Sequence, residues 1–205
     1  IVTAARMQSA RRCNTQHPIP DMPANPGHLL PPLARTAISR ALGRDTQAPA
    51  ADAAWLRTPG AAFVTLIRDG RLRGRCGTPD AVRPLHDEVM ANAVAAALRD
   101  PCFAPLTADE LPDTAIEVTV LSKPEPLDTS SEAAALAGIH AGVHGLALRY
   151  GHHQGIFLPE AWSDHADPAD FLAHLKYRAG LPPDFWDPVM ELRRYTAACW
   201  RERES

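Results

Sequence analysis

The dipeptide Asp69-Gly70 constrains this chain more than any other feature. It stands between Phe63-Val64-Thr65-Leu66-Ile67-Arg68 and Arg71-Leu72-Arg73-Gly74-Arg75-Cys76-Gly77. Both central residues of a type I′ turn need positive φ, which Gly adopts freely and Asp tolerates, so the pair specifies a β-hairpin. A two-residue turn places Arg68 opposite Arg71, Ile67 opposite Leu72, Leu66 opposite Arg73, Thr65 opposite Gly74 and Val64 opposite Arg75. Side chains alternate between the faces of a strand. One face then collects Phe63, Thr65, Ile67, Leu72, Gly74 and Cys76 and reads as core. The other collects Val64, Leu66, Arg68, Arg71, Arg73 and Arg75. Arg73 and Arg75 would stand roughly 7 Å apart along that face. Two guanidiniums this close repel unless a carboxylate or an anionic ligand lies between them. A salt bridge to a neighbouring Asp or Glu satisfies the pattern, and so does a clamp on an anionic substrate. Gly74 and Gly77 fit a close backbone approach or a bulge.

Periodicity organises the rest. A helix is expected from Pro32 to Leu42, with Leu30, Leu33, Ala34, Ala37 and Ile38 in its stripe, and another from Leu85 to Arg99, with Leu85, Val89, Ala93 and Ala96 on one face. Thr114 to Leu121 alternates as a strand, with Ile116, Val118 and Val120 inward and Glu117 and Thr119 opposite. A short helix is expected within 129–137, strands over 143–150 and 154–158, and a helix opened by Asp167-Pro168 and running to about Ala179. The tail carries helical spacing at Val189, Leu192, Thr196, Cys199 and Trp200. Residues 1–28, rich in Pro, Arg, Asn and Gln, read as a disordered segment ahead of a single domain over 29–203.

The 205 residues carry 21 Lys and Arg against 24 Asp and Glu, a net charge of −3, which gives no global pull toward nucleic acid or an anionic membrane. No apolar run approaches the roughly 20 residues of a membrane span, and the first ten residues lack a signal-peptide pattern. Cys13, Cys76, Cys102 and Cys199 are scattered without a CxxC, as reduced thiols of a cytoplasmic protein would be.

Several segments, in order, resemble the AMMECR domain family, whose bacterial members are protein A of the AmmeMemoRadiSam system. Leu72-Arg73-Gly74-Arg75-Cys76-Gly77 is similar to its LRGCIG hallmark, and Asp100-Pro101-Cys102-Phe103 to its D-P-R-F. Ile116-Glu117-Val118-Thr119-Val120-Leu121-Ser122 is similar to I-E-V-S-V-L-S, Gly142-Val143-His144-Gly145-Leu146 to G-x-H-G-L, and Phe157-Leu158-Pro159 to L-L-P. The resemblance implies an α/β domain of the α+β type, a mostly antiparallel sheet flanked by helices, with a smaller second lobe after Ser122. It also implies a final strand over 190–196, against the helical spacing there, and a pathway shared with Memo-like and radical SAM proteins. It names no reaction and no cofactor. Two positions depart from the pattern: the hallmark Cys falls at Arg75, and the D-P-R-F arginine is Cys102. If the two positions face one pocket, the exchange is compensating.

Glu117 is the natural carboxylate for Arg73 or Arg75, either as a charge-balanced sheet face or as a proton-moving group. His144 is either a turn residue or a proton donor beside the arginines. His140, His152, His153 and His165 match no metal-ligand spacing, and His152-His153, on an expected hairpin tip, read as solvated turn residues. Three functions remain open. The first is handling of a small anionic substrate, with Arg73, Gly74, Arg75 and Gly77 binding it and Glu117 and His144 catalytic. The second is a non-catalytic adaptor presenting a protein-interaction surface. The third, an RNA-binding module, is opposed by the acidic balance.

Overall fold

The computed structural model describes residues 19, 22–23, 26–47, 49 and 52–202, so most of the expected disordered segment 1–28 lies outside the described residues. The chain is of the α+β type, with its strands divided between two sheets in two compact units. The first unit takes in residues 26–120 and the chain from Cys199 onward; the second is Leu121–Ala198.

In the first unit, α1 (Leu30–Ala41) begins with prolines in its first turn, where no intrahelical donor is needed. Its expected stripe of Leu30, Leu33, Ala34, Ala37 and Ile38 is buried. A bidentate ion pair from Arg35 to Glu202, with further bonds to the carbonyls of Leu111 (3.0 Å) and Thr114 (2.6 Å), fastens the helix to the chain's end. Helix α2 (Leu85–Leu98) buries Leu85, Val89, Ala93 and Ala96. The sheet runs in the order β2-β1-β3-β8, from β1 (Ala61–Arg68), β2 (Arg71–Gly77), β3 (Thr114–Leu121) and β8 (Ala197–Arg201). Ala62, Val64, Leu66, Ile116, Val118 and Val120 join the two helices in one apolar cluster.

The hairpin turn forms as expected, with Asp69 at φ 52° and Gly70 at φ 70°. Its register then departs from expectation. Arg68 pairs with Arg71 and Ile67 with Leu72, but a β-bulge follows, and Leu66 pairs with Gly74, Thr65 with Arg75, Val64 with Cys76 and Phe63 with Gly77. Arg73 is the extra residue. A tight turn fixes register only as far as the first bulge, and one inserted residue exchanges the faces beyond it. The helix-covered face of β1 is therefore Ala62, Val64 and Leu66, not Phe63, Thr65 and Ile67. Gly74 and Cys76 do lie on that face. A Cβ on Gly74 would collide with the carbonyl oxygen of Ala96 in α2, so the strand reaches the helix backbone only where a side chain is missing.

The second unit holds β4 (Glu125–Pro126), α3 (Glu132–Ala137), β5 (Gly145–Tyr150), β6 (His153–Phe157), α4 (Pro168–Arg178) and β7 (Glu191–Tyr195). Its sheet order is β4-β7-β5-β6, with antiparallel pairing throughout. The Asp167 carboxylate caps α4 by accepting from the amides of Ala169 and Asp170, as Asp167-Pro168 leads one to expect. Phe171, Leu172 and Leu175 of α4 enter a core with Leu146, Leu148 and Trp162. Lys176, fully buried, donates to Glu132 Oε1 (2.7 Å) and the Phe185 carbonyl (3.2 Å), tying α4 to α3. The tail forms strands, as the resemblance implies and local spacing does not. Cys76 and Cys102 are free thiols, but Cys199 is disulfide-bonded, so the expectation of reduced thiols throughout fails there.

Candidate functional site

The bulge gives the two arginines different surroundings. Arg73, only 15 % exposed, donates from Nη2 to Glu110 Oε2 (3.1 Å) and from Nη1 to the Ala104 carbonyl (2.9 Å), with its guanidinium 6.0 Å from the centre of the Phe103 ring. Arg68 reaches the same carboxylate, Nη1 to Oε1 at 2.6 Å. Glu110 also accepts from the Thr107 amide, and that bond together with Arg73 holds its carboxyl down at about 2, well below its ordinary 4.5. It is therefore fully charged at neutral pH. The carboxylate that answers Arg73 is Glu110 in a loop, not Glu117 on the sheet. An open depression of about 330 Å³ lies beside this latch, lined by Arg68, Asp69, Arg71, Leu72 and Arg73.

Arg75 lies opposite Thr65 and donates from Nε to its Oγ1 at 3.1 Å. Alternation puts Thr65 of β1 and Glu117 and Thr119 of β3 on the sheet face away from the helices, because Val64, Leu66, Ile116, Val118 and Val120 occupy the helix-covered face. Thr65, Glu117 and Thr119 are all buried. One face of this sheet is therefore apolar and helix-covered, and the other mixes buried Phe63 and Ile67 with a buried polar group that has a guanidinium at its edge.

The exchanged positions share one carboxylate. Asp100 accepts from the backbone amide of Arg75 through Oδ2 and from that of Cys102 through Oδ1, both at 2.8 Å. The hallmark strand and the Asp-Pro-Cys-Phe turn are thus joined at the two residues where the pattern departs. Cys102 is exposed, whereas burial pushes the Cys76 thiol up, away from the nucleophilic thiolate.

The glycines have packing duties. Gly74 meets Ala96 as described, and a Cβ on Gly77 would strike the Phe63 ring and stand 2.6 Å from the Ala62 carbonyl oxygen. His144 belongs to the second unit. Its Nδ1 accepts from the His140 amide (3.1 Å), its carbonyl accepts from Trp162 Nε1 (2.6 Å), and its ring lies 4.9 Å from that of His140. These contacts make it an anchor of the turn that precedes β5.

Sequence reasoning missed a buried polar chain on α2. Glu88, 1 % exposed, accepts from Arg83 Nε (2.9 Å) and from Asn92 Nδ2 (2.7 Å), and Asn92 also donates to the Ala62 carbonyl (3.0 Å). A signal existed: Glu88 and Asn92 fall inside the stripe of Leu85, Val89, Ala93 and Ala96. Glu110 gave only a local signal, the Thr107-x-x-Glu110 pair whose amides and side chains bond reciprocally, whereas Arg68 and Arg73 reach it only through the fold.

The family model described as AMMECR1 matches residues 31–200. The chain belongs to the AMMECR1 family. A Methanothermobacter thermautotrophicus protein is 41 % identical to it over 142 residues, 68 % of this chain and 74 % of that protein. An Aeropyrum pernix protein is 39 % identical over 185 residues, 87 % and 79 % of the two chains. The crystal structure of uncharacterized protein PH0010 from Pyrococcus horikoshii superposes with a TM-score of 0.78 at 32 % identity, covering 86 % of this chain and 91 % of that one. Both units of this AMMECR1 chain fall largely inside the matched residues, including the hallmark strand and the Asp100 turn.

Proposed function

We propose that this AMMECR1-family chain handles a small anionic molecule at the polar face of its first sheet. In this reading Arg75 binds the anionic group, Thr65 and Thr119 accept or donate hydrogen bonds to it, and Glu117 moves a proton. The observation that carries the reading is the burial of Thr65, Glu117 and Thr119 on the sheet face opposite the helices. A carboxylate withdrawn from water needs charged or hydrogen-bonding company, and a cleft or ligand site is where such groups collect. Arg73, latched by Glu110, holds the hairpin that presents Arg75, and Gly74 and Gly77 seat the strand. His144 takes no part in this version of the site.

The adaptor reading requires a contiguous exposed apolar patch. Among the described residues of the first unit, Val82 is the large apolar side chain that stands exposed, and the depression beside Arg73 is lined by charge. The pathway shared with Memo-like and radical SAM proteins belongs to the same proposal, and co-purification tests it. For the site itself, the purified chain is screened by thermal shift against small carboxylates and phosphate monoesters. A compound that raises Tm for the wild type but not for Arg75→Ala or Glu117→Gln supports the proposal. Equal shifts in all three proteins refute it.

A further inference from the structure

His165, Asp170 and His174 of the second unit form a compact group that the proposed reaction does not use. Asp170 lies in the first turn of α4 and His174 one turn later, so both project from one face of the helix. Asp170 Oδ2 is 3.0 Å from His165 Nδ1, and Asp170 Oδ1 is 3.1 Å from His174 Nδ1. One ligating atom from each of the three residues falls within a single 4.8 Å sphere of mutual distances. His174 Nδ1 also lies 3.0 Å from the Asp170 carbonyl oxygen. The His165 ring is held in place: it stacks on Phe157 at 5.8 Å and 8°, meets Phe171 edge-on at 6.4 Å, and lies 4.1 Å from the His174 ring.

We propose that these three residues bind a divalent first-row metal ion of the zinc class. Two imidazoles and one carboxylate are a borderline-soft donor set that suits zinc and its neighbours rather than calcium or magnesium. Metal–ligand arms of about 2.0–2.1 Å in a tetrahedron separate ligand atoms by roughly 3.3 Å. The two imidazoles now meet different oxygens of the Asp170 carboxylate, at 3.0 and 3.1 Å, and one ligand atom per residue lies within 4.8 Å of the others, so binding draws the three together toward that edge by side-chain rotation. On binding, each imidazole offers the Nδ1 lone pair and carries its proton on Nε2, and the His174 bond to the Asp170 carbonyl is exchanged for a metal bond. Asp170 and His174 are about half exposed, which leaves the remaining coordination position to water. Three protein ligands with an open fourth position are the arrangement of a reactive zinc site rather than a closed structural one.

The test is calorimetric titration of the tag-free full chain with zinc sulfate, alongside Co²⁺ substitution read in the visible spectrum. One zinc per chain is expected, with Co²⁺ giving the intense bands of a four-coordinate site. His174→Ala and Asp170→Asn should each weaken binding by about tenfold or more while the far-UV spectrum is unchanged. His152→Ala/His153→Ala and Cys102→Ala should bind as the wild type does. Absence of saturable zinc binding overturns the proposal. So does binding that survives His165→Ala/His174→Ala, or that is lost in the His152/His153 or Cys102 variants.

Discussion

Glu110 shows how much one residue can organise from outside any helix or strand. It sits in a loop, yet it receives Arg68, Arg73 and the Thr107 amide. Because its carboxyl titrates near 2 in the folded chain against an ordinary 4.5, folding favours the charged form. The stabilisation is therefore complete above the unfolded value and is lost as pH falls from about 4.5 toward 2. Melting curves of wild type and Glu110→Gln should differ most above that window and converge at its acid end; a gap that widens on acidification would contradict this. The two free cysteines provide a second residue-level check. Burial keeps Cys76 protonated and shielded, while Cys102 is exposed, so iodoacetamide should modify Cys102 in the native protein well before Cys76. Peptide mapping after brief labelling reads the order directly.

Among the elements, the β1–β2 hairpin is the most instructive, because its turn was legible and its register was not. Asp69-Gly70 dictated the reversal, and the first two pairs followed from it. The bulge at Arg73 then set Gly74 beneath the Ala96 carbonyl of α2 and turned Arg75 toward Thr65. A single methyl at position 74 meets backbone on the helix side, which cannot rotate away. Gly74→Ala should lower stability by about 1–3 kcal/mol or more, seen as a lower urea midpoint with an unchanged slope. An unchanged midpoint would mean that helix and strand are not in close contact. Helices α1, α2 and α4 were read nearly to their ends, since a stripe, an opening proline or an Asp cap are local properties. The strands β7 and β8 show the reverse, because their helical spacing gave way to pairing that only distant partners supply.

For the whole molecule, composition already excludes much. With 24 acidic residues against 21 Lys and Arg, no phosphate-tracking stripe is expected, and the arginines that do cluster are engaged: Arg35 with Glu202, Arg68 and Arg73 with Glu110, Arg83 with Glu88 and Arg194 with Glu125. Single-stranded RNA should give no mobility shift at physiological salt; a shift that weakens steeply with added salt would restore the RNA reading. Each unit has its own apolar cluster, and the chain leaves the first at Val120 and rejoins it at Cys199. The resemblance located that division to within a residue or two, at Ser122. Among the described residues no helix is long and apolar enough to cross a membrane.

By itself the sequence determined the family, the helices, the hairpin turn and strand β3, because each rests on short-range pattern or on ordered motifs. It also marked the Arg75 and Cys102 exchange, though not that Asp100 holds both backbones. Only the tertiary structure decided the bulge, the Glu110 latch, the burial of Glu88 and the gathering of His165 with Asp170 and His174. The physical reason is range. Turn and cap preferences act over a few residues, whereas the partner of a charge and the register beyond a bulge depend on which distant backbone the core brings alongside.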